Sequence, residues 1–160
     1  GMGRKLAIAA ALAHRPKLLI MDEATSGLDP VVREEILDIL LEFIEDEEHA
    51  VLLSSHITSD LDKIADYITF LHEGKVVLSR EKDDLLSSMG ILKCSEKELK
   101  KLPAGFALRL RQSQFGCEVL VQNRRALSFS HPGLTIDPAT LEDMMLFYIR
   151  GKQVSPEKQL

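Results

Sequence analysis

With 160 residues the chain has room for one domain of ordinary size, or for a small domain and an appendage. Its 45% hydrophobic and 28% charged residues supply both a core and a polar surface, which excludes a wholly disordered chain. A net charge of -5 offers no general attraction to nucleic acid or anionic lipid, and the longest apolar run, 6–13, is far short of the roughly 20 residues that span a bilayer.

No cleavable apolar leader opens the chain, so it reads as neither integral to a membrane nor secreted. Cys94 and Cys117 lie far apart in sequence and outside any paired metal-binding spacing, so they read as reduced thiols. The charge is uneven. Residues 1–80 hold 8 Lys and Arg against 15 Asp and Glu (-7), whereas residues 81–160 hold 12 against 10 (+2), so two regions with different roles are expected.

Residues 4–14 are rich in Ala and Leu with no breaker before Pro16, which predicts a helix ending near Arg15. No cap or strand precedes it, so an upstream portion is expected to be missing, although Gly1 reads equally as a cloning scar. Residues 17–21 are a short apolar stretch running into Asp22 and Glu23, the pattern of a buried strand that delivers acids at its carboxyl end. After a turn at 25–29, Asp29 and Pro30 read as an N-cap and a first helical position. Ile36, Leu37, Leu40, Leu41 and Ile44 then recur at helical spacing as far as Glu45.

Residues 50–54 predict a second buried strand ending in Ser55 and His56, and Ser59 reads as the cap of a short helix to about Asp66. This alternation implies parallel pairing. Residues 67–71 and 76–79 flank a hairpin turn whose Gly74 supplies a positive φ, adding an antiparallel edge.

Beyond Glu81 a short helix to Ser88, a linker near 88–90 and a Glu/Lys-rich helix over 95–102 are predicted. Residues 106–111 and 118–122 alternate like half-buried strands, and 127–130 read as a third. A helix over 139–149 places Leu141, Met145 and Tyr148 on one side, and a loose tail begins at Val154. Arg109, Arg111, Arg124 and Arg125 could form a basic patch but read as a solvated face, and no nucleic-acid partner is expected.

An acid pair at a strand end is also common punctuation before a turn. Its setting is more informative: a Gly-Met-x-Arg-Lys helix start, an apolar strand into Asp-Glu, the loop Ser-Gly-Leu-Asp and a second strand ending in His56 follow in order. The stretch Leu18-Leu19-Ile20-Met21-Asp22-Glu23-Ala24-Thr25-Ser26-Gly27-Leu28-Asp29-Pro30 resembles the Walker B motif and D-loop of ATP-binding-cassette (ABC) ATPases. His56 matches that family's switch histidine, and Gly1-Met2-Gly3-Arg4-Lys5-Leu6 resembles the end of its signature motif. Residues 1–80 carry the resemblance.

The resemblance implies the α/β core of a P-loop NTPase over residues 1–88, here partial, with a parallel sheet and an antiparallel edge hairpin, followed by a small α+β accessory domain at 89–153 and a tail at 154–160. It implies ATP and Mg2+ as ligands. Asp22 would serve the magnesium ion, which wants hard oxygen ligands, while Glu23, one residue on, would orient or deprotonate the attacking water. His56 would contact the terminal phosphate and sense its loss. Gly1, Met2, Ser26, Gly27, Leu28 and Asp29 would face nucleotide at a site shared with a second ATP-binding subunit, a homodimer being expected. A transmembrane permease would complete an exporter, placing the subunit in the cytoplasm, peripheral on the inner face of the plasma membrane.

No Gly-x-x-x-x-Gly-Lys-Ser/Thr occurs: Gly74-Lys75 is followed by Val76 and Gly151-Lys152 by Gln153. The chain is therefore expected to be a carboxyl-terminal portion of the subunit that does not bind ATP tightly alone. Met2 stands where the family commonly has Gln and Ala24 where it has Pro, as in exporter subunits with separate membrane proteins. Residues 90–151 resemble the extension of drug and antimicrobial-peptide exporter ATPases of the bacitracin-resistance type. A soluble ABC ATPase and a non-catalytic dimerisation or regulatory module are the rival readings.

Overall fold

The computed structural model describes residues 2–113 and 116–154, a mixed α/β chain that divides into two compact units, Gly1–Ala65 and Asp66–Leu160. Among the described residues no helix is long and apolar enough to cross a membrane.

The first unit runs α1 (Met2–Ala13), β1 (Leu18–Asp22), α2 (Pro30–Ile44), β2 (Ala50–Ser54) and α3 (Thr58–Ile64). β1 and β2 pair in parallel from Leu18 opposite Ala50 to Asp22 opposite Ser54, as expected. Parallel strands need a crossover, which α2 supplies. The carboxylate of Asp29 accepts the Val32 N–H at 3.1 Å, capping that helix ahead of Pro30. Ile8, Leu19, Ile36 and Leu40 form the core, with Met21, Val51 and Phe43 packed against it. The two strands are buried on one face only: Leu18, Ile20 and Leu52 are exposed by 52, 71 and 62%, because the helical side chains of this cluster meet Leu19, Met21 and Val51.

Ser59 does not cap α3. Ile57 occupies the cap position, and the Ser55 hydroxyl accepts the Ile57 N–H at 3.0 Å, so the turn into the helix is closed four residues earlier than expected.

The second unit opens with β3 (Tyr67–His72) and β4 (Lys75–Glu81), an antiparallel pair forming a two-stranded sheet of its own. Its turn residues Glu73 and Gly74 have φ of 49° and 73°, the doubly left-handed pattern that suits the twist of a tight hairpin. Then follow α4 (Lys82–Ser88), β5 (Gly90–Cys94), α5 (Glu96–Leu99), β6 (Ala107–Ser113), β7 (Gly116–Val121), α6 (Arg124–Ser130), β8 (Ile136–Pro138), α7 (Leu141–Arg150) and β9 (Lys152–Gln153). The last five strands form one antiparallel sheet ordered β8-β5-β7-β6-β9.

Several expectations change here. The stretch read as a linker is buried: Met89 is 1% exposed, and Gly90 opens an interior strand. A Cβ at Gly90 would lie 2.6 Å from Ile136 Cγ2, so glycine marks close packing of β5 against β8 rather than a break. The strand expected at 127–130 is helix, with Leu127 N–H bonded to Asn123 O and His131 N–H to Leu127 O; Leu127 is buried while Phe129 is 91% exposed, which gives no two-residue alternation. On α7 the core face is Leu141, Met144 and Phe147, not Leu141, Met145 and Tyr148. Val154, assigned to the tail, donates its N–H to Leu108 O at 3.2 Å; residues 155–160 lie outside the described residues.

Three of the four arginines of the expected basic face are engaged within the unit. Arg109 lies over the Tyr148 ring and Arg111 over Phe147, at 5.0 and 5.2 Å, and Arg124 donates to Ser87 O. Capping boxes close α5 (Ser95 with Glu98) and α7 (Thr140 with Asp143). The Ser95 backbone N–H and hydroxyl hold the Glu98 carboxyl below its ordinary range.

Cys94 and Cys117, remote in sequence, stand directly opposite each other on β5 and β7, both buried and free. Burial pushes the Cys94 thiol from 9.0 up to about 11. At neutral pH iodoacetamide should therefore leave both thiols unmodified in the folded chain and label both after denaturation, read by mass spectrometry. The raised value also sets a pH dependence. Folded Cys94 keeps a proton that the unfolded chain releases near pH 9, so this stabilisation is complete below that pH and lost as pH rises toward about 11, measurable by denaturant midpoints. Thr140→Ala, which removes the α7 cap, should cost about 1 kcal/mol in the same assay.

Candidate functional site

The site is built where β1 and β2 end. Their register sets Asp22 beside Ser54, whose hydroxyl donates to Asp22 Oδ1. One residue further, the Glu23 N–H donates to Ser54 O at 3.0 Å, carrying the pairing past the strand. Glu23 has φ of 48°, a left-handed conformation that costs a non-glycine residue on the order of 1 kcal/mol and turns the chain off the sheet.

That turn brings Glu23 to His56. Glu23 Oε1 accepts the His56 backbone N–H at 3.1 Å, and Oε2 lies 2.7 Å from His56 Nδ1. An ionised carboxylate only accepts, so Nδ1 carries a proton and Nε2 is the nitrogen left for another partner. The His56 side chain is 67% exposed and that of Glu23 37%, so the pair faces solvent. The Glu23 carbonyl accepts from Arg4 Nη1 of α1 at 2.5 Å and from the Ser26 N–H at 3.2 Å.

The following loop is a succession of turns. Leu28 N–H donates to Thr25 O at 3.3 Å, Gly27 has φ of 71°, and Asp29 ends the loop as the α2 cap. Leu28 packs against the core cluster. Beneath the loop, the Thr25 hydroxyl donates to Asp60 Oδ2 and Arg33 Nε to Asp60 Oδ1, each at 2.5 Å. Arg33 also donates to the Ser59 hydroxyl.

Thus Asp22, Glu23 and His56 are brought together, and Ser26, Gly27, Leu28 and Asp29 form the adjoining loop. Met2 starts α1 with 87% exposure, and Gly1 lies outside the described residues. Ser54, Thr25, Arg33 and Asp60 were not singled out from the sequence. Ser54 becomes visible only once the parallel register is known, and Asp60 reads in isolation as an ordinary surface acid.

Among the described residues no group of three or more His, Cys, Asp or Glu could hold a metal ion. Asp22 and the Ser54 hydroxyl offer one carboxylate and one neutral oxygen. Such a sparse donor set fits magnesium, which keeps much of its water and binds through one or two carboxylates with substrate phosphates.

Curated relatives share one description. The chain is 45% identical over 83 residues to a lantibiotic transport ATP-binding protein of Streptococcus pyogenes, covering 52% of this chain and 36% of that protein. It is 43% identical over 77 residues to a bacitracin transport ATP-binding protein of Enterococcus faecalis, covering 48% and 25%. It is 34% identical over 110 residues to an energy-coupling factor transporter ATP-binding protein of Streptococcus agalactiae, covering 69% and 39%. A solved ABC transporter of the metal-chelate type, in an inward-facing conformation, aligns with a TM-score of 0.48 at 20% identity, over 78% of this chain and 47% of that chain. No family model matches. The chain spans between 25 and 39% of the length of these curated relatives. About half of it is homologous to ABC transporter ATP-binding proteins, those of bacitracin and lantibiotic transport among them.

Proposed function

We propose that this chain is part of the ATP-hydrolysing subunit of an ABC exporter, with Asp22, Glu23 and His56 as the reacting end of its nucleotide site. The observation that carries the reading is their convergence at the ends of two parallel strands, with Glu23 bonded twice to His56. The ATPase part is proposed to extend over residues 1–88, followed by an accessory domain at 89–153 and the tail at 154–160.

Asp22, supported by Ser54, would hold Mg2+; the ion, when bound, supplies positive charge against the phosphates. Glu23 orients the attacking water and takes its proton, since each of its carboxylate oxygens keeps an acceptor site beyond its contact with His56. With Nδ1 engaged by Glu23, Nε2 is the His56 nitrogen left to meet a phosphate oxygen. Nucleotide contact across a dimer by Gly1, Met2 and the 26–29 loop, coupling to a transmembrane permease, and a position on the inner face of the plasma membrane belong to the same proposal.

Magnesium-dependent ATP hydrolysis by the complete open reading frame containing this chain tests it. Glu23→Gln should lower kcat by about a hundredfold or more. Equal activity in parent and variant, or none in the parent, would shift the reading to a non-catalytic interaction module.

A further inference from the structure

Below the proposed reacting pair lies a feature that pair does not use. Among the described residues Thr25 and Asp60 are the two buried polar side chains, 1% and 0% exposed, and they bond to each other. A buried carboxylate is tolerated only when its oxygens are satisfied. Both of Asp60's are: Oδ2 accepts from Thr25, while Oδ1 accepts from Arg33 Nε and faces the guanidinium as an ion pair.

The three partners lie on three separate segments. Thr25 is two residues beyond Glu23, Asp60 four residues beyond His56, and Arg33 stands on the first turn of α2, its N–H bonded to Asp29 O. One carboxylate therefore ties the chain leaving Glu23, the chain leaving His56 and the helix that closes the loop. By contrast the Glu23–His56 pair faces solvent, and exposed ion pairs contribute little on their own. Its geometry, including the left-handed Glu23, needs support from a buried, fixed group.

We infer that Asp60 is a positioning residue: through Thr25 and Arg33 it holds the segments of Glu23 and His56 in register and so maintains their hydrogen bond. The inference rests on the reading of that pair as the reacting groups, but its geometry can be tested without hydrolysis. The alternative is that the network only adds stability.

The test uses the 15N-labelled 160-residue chain at fixed pH, reading the His56 ring nitrogens by NMR in the parent, Thr25→Val, Thr25→Ser, Asp60→Asn and, as reference for the broken pair, Glu23→Gln. Thr25→Val keeps the side-chain shape and loses the hydroxyl, so it carries the test if Asp60→Asn does not fold. Folded Thr25→Val and Asp60→Asn should show the His56 Nδ1 signal moved to the Glu23→Gln position, with Thr25→Ser keeping the parent value. A parent-like His56 signal in folded Thr25→Val overturns the inference. So does a Glu23→Gln variant that leaves His56 unmoved, since there is then no pair to position.

In the complete reading frame, Thr25→Val should lower kcat by about tenfold or more with KM unchanged, and Thr25→Ser should restore it. If the NMR result holds while Glu23→Gln retains full hydrolysis, positioning stands and the catalytic reading falls.

Discussion

Two parallel strands of five residues, paired from Leu18 with Ala50 to Asp22 with Ser54, end at the same level, and the chemistry gathers at that end. A slip of one residue would turn every side chain of a strand to its other face, removing Leu19 and Met21 from the core cluster and Ser54 from Asp22. The register is held by apolar burial: Ile36 and Leu40 of α2 are fully buried against this sheet, each worth about 1.5–3 kcal/mol of transfer free energy. Packing in the core thus sets where acid and hydroxyl meet at the surface.

The site adds a local departure from regular structure. Glu23 leaves the strand in a left-handed conformation, stabilised by its N–H on Ser54 and by the bonds its carbonyl accepts from Arg4 and Ser26. The departure separates two adjacent acids, so that Asp22 meets a hydroxyl and Glu23 a histidine. Neighbouring carboxylates with different partners can serve different roles.

The second unit follows other rules. Its five antiparallel strands pack around Leu92, Val119, Val121 and Leu127, and α7 buries Leu141, Met144 and Phe147 while the rings of Tyr148 and Phe147 receive Arg109 and Arg111. Aromatic faces attract guanidinium groups, so these arginines are held within the fold. The unit carries its own hydrophobic core.

Much of the first unit was readable from residue order. The Asp29-Pro30 cap and the apolar spacing of α2 depend on contacts within a few residues, and such local terms survive in a linear reading. The resemblance of the chain to ABC ATPases agrees with the relatives. The sheet of the second unit was only half visible: β5 and β8 are short, one begins with glycine and the other ends with proline, and they are strands because neighbours complete their hydrogen bonds, β7 and β8 on the two sides of β5, and β5 beside the edge strand β8. The 127–130 segment became helix for a similar reason, since only Leu127 finds a buried place. Residue order thus determined which chemical groups are present and which elements carry most of them, because caps and periodicity are local. The pairing of Asp22 with Ser54, the contact of Glu23 with His56, the facing of Cys94 and Cys117, and the burial of Asp60 beneath Thr25 and Arg33 were decided by tertiary structure, because each joins residues more than 20 positions apart through strand register and core packing.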